Sequence, residues 1–201
     1  MKFKKKSKKK KRKEELIRTT RETLENQKVK SVLTWVFEIL VTLGLASVVA
    51  IFFFQTITMQ ETAMEPSIAV GDRFFMNRMI YKISSPKRGD IIAFKTSSSE
   101  DAVLHVRRVI GLPGESIRIQ DGNILINGEI YTEEYDFPAM LSAGLAADTI
   151  NLGSSEYFVL GDNRNNSEDS RYADIGIVQK KYIAGKLWFQ ISPFESFGLI
   201  E

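Results

Sequence analysis

The chain has 201 residues, with 28 Lys and Arg, 25 Asp and Glu, one His and no Cys; 43% of it is hydrophobic and 26% charged. That length allows one domain or two small ones, and the apolar share excludes a wholly disordered protein. The absence of cysteine excludes disulfides, a thiol nucleophile and Cys-based metal centres, and a single histidine, His105, leaves no His-rich metal site, so no metal or cofactor is expected.

The net charge of +3 averages two opposite parts. Residues 1–30 hold fourteen Lys/Arg against Glu14, Glu15, Glu22 and Glu25, a balance of +10, and the remainder carries −7. Ten of those bases fall within Lys2–Lys13, where like charges repel and disorder is expected. From Val32 to Phe54 the only charge is Glu38. As a helix that run spans about 34 Å, enough for a hydrocarbon core of about 30 Å. It is too long for the apolar stretch of a cleaved signal, about 7–15 residues, so a retained anchor is expected. The sequence thus predicts a basic cytoplasmic tail over 1–30, a transmembrane helix over 31–54 and an extracytoplasmic domain over 55–201. The excess of Lys and Arg before the span keeps the N-terminus inside and sends the C-terminal domain outside. The tail then meets the anionic headgroups of a lipid bilayer, and no nucleic acid is expected as a partner.

Past the span, short apolar runs alternate with turn signals, the pattern of a mainly β domain. Strands are predicted at Phe74–Met76, Asp90–Phe94, Leu104–Ile110, Ser116–Gln120, Ile124–Ile126, Tyr157–Leu160 and Gly185–Gln190. Asp121-Gly122 and Asn127-Gly128 read as tight turns. Residues 136–155 lack periodicity and read as a variable loop or small excursion.

Four segments stand out. They are Glu61-Thr62-Ala63-Met64-Glu65-Pro66-Ser67-Ile68, then Lys87-Arg88-Gly89-Asp90-Ile91-Ile92-Ala93-Phe94, then Val106-Arg107-Arg108-Val109-Ile110-Gly111-Leu112-Pro113-Gly114-Glu115, and last Gly161-Asp162-Asn163-Arg164-Asn165-Asn166-Ser167-Glu168-Asp169-Ser170-Arg171. In this order they resemble bacterial type I signal peptidase, in the Gram-positive form with a single anchor. The resemblance implies an N-terminal transmembrane helix followed by an antiparallel β domain. It also implies a membrane-bound serine endopeptidase that removes signal peptides from exported preproteins.

The chemistry that this resemblance implies is acyl transfer by a serine–lysine pair. A serine hydroxyl needs a base, and a lysine is one only when burial keeps it neutral. Here Ala63 stands at the nucleophile position and Arg107 at the general-base position. Alanine has no nucleophilic atom, and a guanidinium stays protonated near neutral pH. By the same resemblance Ser167 orients the base, Asp169 and Arg171 brace the site, and Met64, Pro66, Gly161, Asp162, Asn163 and Arg164 complete the motifs. Of the neighbours able to act instead, Ser67 reads as structural, Thr62 points to the other face of an extended chain, and His105 shares a strand face with Arg107. Arg107 is expected to pair with a carboxylate such as Asp169. On this reading neither Ala63→Ser nor Arg107→Lys restores cleavage alone, and the two together do.

Two functions follow. One is a signal peptidase by family whose copy here is inactive. The other is a non-catalytic, chaperone-like homologue that grips an extended segment of an exported or surface-assembled protein along exposed strand edges.

Overall fold

The computed structural model describes residues 2–99 and 102–200, which fall into two units, 1–51 and 52–201. The first lies within one continuous helix, α1, over Lys2–Phe53, whose last two residues belong to the second unit. Within Lys13–Ala50 it is long and apolar enough to cross a membrane. Trp35, Phe37, Leu40 and Leu43 are all exposed on it, so apolar side chains surround the helix rather than marking one stripe. The helix continues through the basic segment expected to be disordered. Lys, Arg, Glu and Leu are strong helix formers, and extending an existing helix costs far less than starting one. The pairs Arg18–Glu22 (3.1 Å) and Arg21–Glu25 (3.8 Å) add i,i+4 support.

The second unit is mainly antiparallel β structure. Its strands are β1 (Phe54–Thr58), β2 (Arg73–Asn77), β3 (Ile91–Lys95), β4 (Leu104–Gly111), β5 (Ser116–Gln120), β6 (Asn123–Ile126), β7 (Glu129–Ile130), β8 (Ile150–Asn151), β9 (Glu156–Leu160), β10 (Val178–Gln179), β11 (Ile183–Ser192) and β12 (Gly198–Leu199). The larger sheet runs β1-β2-β11-β3-β4-β9-β10 with β12 against β11, and the smaller runs β7-β6-β5-β8. Every predicted strand is present. The strands not foreseen are β1, which the apolar run absorbed at Phe54, and four two-residue pieces too short to show alternation.

Both predicted turns carry the backbone of tight hairpins. Asp121 and Gly122 have φ of 52° and 76° between β5 and β6, and Asn127 and Gly128 have 54° and 86° between β6 and β7. Positive φ at both central residues matches the right-handed twist of the flanking strands.

The larger sheet has a core on each face, which is why β3 reads as an unbroken apolar run. Ile91 and Ala93 join one cluster with Met64, Phe74, Met76 and Leu187, whereas Ile92 and Phe94 join another with Val109, Tyr157 and Val159. A third cluster lies under the smaller sheet and includes Ile117, Ile119, Phe158, Met140, Ala146 and Leu152. The last three correct the expectation for 136–155. That segment forms a 3-10 turn at Gly144–Ala147 and the strand β8, and it seals a core. Its apolar residues lack periodicity because each caps the core from irregular backbone.

Candidate functional site

Three pieces of chain converge: a 3-10 turn at Thr62–Met64, the strand β4, and the loop 161–171 that follows β9. Ala63 and Met64 are buried in the turn, with Met64 driven into the core beneath the larger sheet. The Asn163 amide donates to the Ala63 carbonyl at 3.0 Å, and the Asn163 side chain donates to the Thr62 carbonyl at 3.2 Å. Thr62 and Ser67 are exposed, and the Asn166 side-chain Nδ2 donates to the Thr62 hydroxyl at 3.3 Å. Pro66 is exposed past the turn.

Gly161 is where turn and loop touch. A Cβ there would lie 2.1 Å from Ser167 Oγ and 2.4 Å from the Ala63 carbonyl oxygen. Any other residue would push the two pieces apart. The Ser167 hydroxyl at this junction is buried and has no hydrogen-bond partner among the described residues. A buried polar group without a partner is uncommon and costly, and such groups gather where chemistry or a ligand is served.

Arg107 enters the same junction from β4, with only 2% of its side chain exposed. Its Nη1 donates to Glu61 Oε2 at 2.6 Å, and its Nε donates to the Glu168 carbonyl at 2.7 Å. Glu61, not Asp169, is therefore its carboxylate. Asp169 is occupied by Arg171, whose Nε and Nη2 each donate to it at 2.8 Å. His105 stands two residues before Arg107 and reaches the same acid, with Nδ1 2.9 Å from Glu61 Oε1. An ionised carboxylate only accepts, so Nδ1 carries the proton. Burial opposes ionisation of Glu61, but the hydrogen bond from His105 and the charge of Arg107 outweigh it and hold this carboxyl below its usual range.

Buried ion pairs fix the loop. Asp169 Oδ2 accepts from the Gly161 amide at 3.1 Å, and Arg171 also donates to the carbonyls of Arg164 and Ser142. Asp162 holds Arg108 through two bonds of 2.8 and 2.7 Å. Burial disfavours the charge on Arg108, and the bonds and charge of Asp162 more than offset it, raising its pKa. Arg164 makes a two-pronged pair with Glu133 and lies 4.2 Å from the ring centre of Phe137. The segment 139–145 leans on the loop as well: Asn165 bonds the Ala139 carbonyl and the Leu141 amide, and the Leu145 amide donates to the Arg171 carbonyl at 2.8 Å.

Ala63, Arg107, Ser167 and Gly161 thus meet, with Asn163 tied to the turn. Asp162, Arg164, Asp169 and Arg171 lie behind them as supports. Sequence reasoning missed Glu61, Glu133 and the bracing by 139–145. Glu61 had a partial signal: a buried permanent cation needs an acid, and Glu61 and Glu65 flank the turn on either side, but the sequence does not choose between them.

Among the described residues no group of His, Cys, Asp and Glu is arranged to hold a metal ion. The donors present serve ion pairs.

The family model for signal peptidase, peptidase S26, matches residues 32–191. Among curated relatives, the signal peptidase I of Bacillus licheniformis is 32% identical over 182 residues, covering 87% of this chain and 96% of that protein. Signal peptidase I P of Bacillus subtilis subsp. natto is 34% identical over 168 residues, covering 80% and 89%. A crystal structure of a signal peptidase I from Enterococcus faecalis is 32% identical, covers 52% of this chain and 98% of that one, and has a TM-score of 0.43.

Proposed function

The chain belongs to the signal peptidase family, peptidase S26, and from that footing we propose that it is a membrane-anchored member that recognises the signal-peptide region of an exported preprotein and does not cleave it. Ala63 and Arg107 stand at the nucleophile and base positions, and Ser167 stands where the base would be oriented. One observation carries the reading. The Arg107 guanidinium is buried and committed to Glu61 and to the Glu168 carbonyl, while the hydroxyl of Ser167, the residue before Glu168, is buried with no hydrogen-bond partner among the described residues. An arginine so held is no base, and the methyl of Ala63 is no nucleophile. The surrounding support is kept: Asp169–Arg171, Asp162–Arg108 and the glycine contact at 161. That combination suits a site that still binds. An extended segment with small side chains adds along a strand edge, its backbone satisfied by ladder hydrogen bonds.

In this reading residues 1–30 lie in the cytoplasm, 31–54 span the bilayer and 55–201 face outward, where signal-peptide junctions emerge. The full-length chain in detergent, immobilised and offered a preprotein, is expected to retain it uncut. Retention should fall when the small residues before the cleavage junction are made large. A preprotein that passes without retention, or retention indifferent to those residues, contradicts the proposal.

A further inference from the structure

The geometry points to Glu61 as a third lock on this site, a positioning residue that fixes the charge state of whatever cation stands at 107. The inference rests on the reading of 63 and 107 as the nucleophile and base positions. The Glu61 carboxylate is bonded to Arg107 Nη1 at 2.6 Å and shared with His105 at 2.9 Å. Arg107 has one further acceptor on another element, the Glu168 carbonyl, and one on its own strand, the Val106 carbonyl. Every acceptor around the guanidinium is therefore arranged for a cation. The groups facing Glu61 are His105 and Arg107 from β4; from the loop, Glu168 presents its main-chain oxygen to Arg107, and Asp169 is taken by Arg171.

A lysine placed at 107 inherits this cage. A general base has to be neutral, and a carboxylate within hydrogen-bonding distance favours the ammonium. At about 4 Å and an effective dielectric near 20 the attraction raises a lysine pKa by roughly three units, and each unit cuts the neutral fraction about tenfold. Glu61 is partly exposed, with 29% of its side chain open, so the expected penalty is smaller, on the order of a hundredfold. Ala63→Ser with Arg107→Lys is therefore not sufficient, contrary to what the motifs alone predict. Glu61→Gln has to be added. It keeps the shape and a hydrogen-bonding oxygen and removes the charge. The buried Ser167 hydroxyl is then free to take the neutral amine as its partner.

The test uses the full-length chain in detergent with two readouts. First, 13C-labelled lysine gives one new resonance in Arg107→Lys, which is titrated with and without Glu61→Gln. The pKa of the introduced lysine is expected to fall by about two units on removal of the carboxylate, and Glu61→Asp should keep most of the elevation. An unchanged titration overturns the role of Glu61. Second, cleavage of a preprotein is compared between Ala63→Ser/Arg107→Lys and the same pair with Glu61→Gln, across pH. The triple variant is expected to exceed the double by about a hundredfold near neutral pH, with its rise moved toward neutrality. If the pKa of the introduced lysine falls as expected and the triple variant remains silent, Glu61 acts as inferred and the assignment of 63 and 107 to the reacting positions fails. If the double variant cleaves, and does so as fast as the triple near neutral pH, the lock does not exist.

Discussion

Asp169→Ala removes the acceptor on which the loop 161–171 is built. The carboxylate is fully buried and its partner Arg171 is 1% exposed. Oδ1 accepts from Arg171 Nε at 2.8 Å and from the Arg171 amide at 3.2 Å; Oδ2 accepts from Arg171 Nη2 at 2.8 Å and from the Gly161 amide at 3.1 Å. Truncation leaves a guanidinium in the interior with the Arg164 and Ser142 carbonyls and the Tyr172 ring, 5.6 Å away, but no countercharge among the contacts described. Breaking a buried pair from one side costs about 3–5 kcal/mol, because the remaining charge is uncompensated. Against a total stability of about 5–15 kcal/mol that is a large share, and it lowers the melting temperature by roughly 10 °C. Removing both members, Asp169→Ala with Arg171→Met, should cost less than the sum of the single changes, with a coupling of about 2 kcal/mol or more. The assay is urea unfolding of the full chain in detergent, followed by Trp188 fluorescence in a Trp35→Phe background. A loss under about 1 kcal/mol for Asp169→Ala, or additive costs, would refute the view that this pair holds the loop.

Gly161→Ala should destabilise by about 3 kcal/mol or more, beyond ordinary overpacking, since its Cβ would fall 2.4 Å from the Ala63 carbonyl oxygen as well as on Ser167. Adding Ser167→Gly should rescue only part of this in the same unfolding assay, because the backbone clash stays. Glu61 has its carboxyl held below the ordinary value of 4.5. Its stabilising contribution is therefore present above that value and is lost as pH falls through the depressed one. Unfolding free energy measured between pH 6 and 3 should drop more steeply in the parent than in Glu61→Gln; equal slopes contradict the ion cluster. Protease added to intact cells should trim the β domain and spare the basic tail, and protection of the β domain overturns the proposed orientation.

Most of the fold was legible in the sequence because the chain is locally consistent. Asp90–Phe94 reads as a strand from its apolar run, and Asp121-Gly122 and Asn127-Gly128 read as tight turns. What escaped had no local code. Met140, Ala146 and Leu152 are core residues on irregular backbone, and only the finished sheets give them a place. The two-residue strands exist by pairing, not by propensity. At the site, the motifs brought Ala63, Arg107, Ser167 and the Asp169–Arg171 pair into one argument. The partner of Arg107 was misplaced for a physical reason. Asp169 is nearer to Ser167 in sequence, but Arg171 lies two residues from Asp169 and satisfies it completely, leaving the guanidinium of Arg107 to the acid on the facing turn. The basic segment is helical where its composition predicts disorder, because charge repulsion acts there on a helix already running through the apolar segment.

On the proposed function, the site around Ala63 and Arg107 recognises a preprotein and leaves it whole. The direct measurement is the intact mass of a preprotein after prolonged incubation with an equimolar amount of the unmodified full-length chain in detergent, from pH 7 to pH 9. A single species at the uncut mass is expected throughout that range. A product at the mature mass, lost when Thr62, Ser67 or His105 is replaced by alanine, would contradict it.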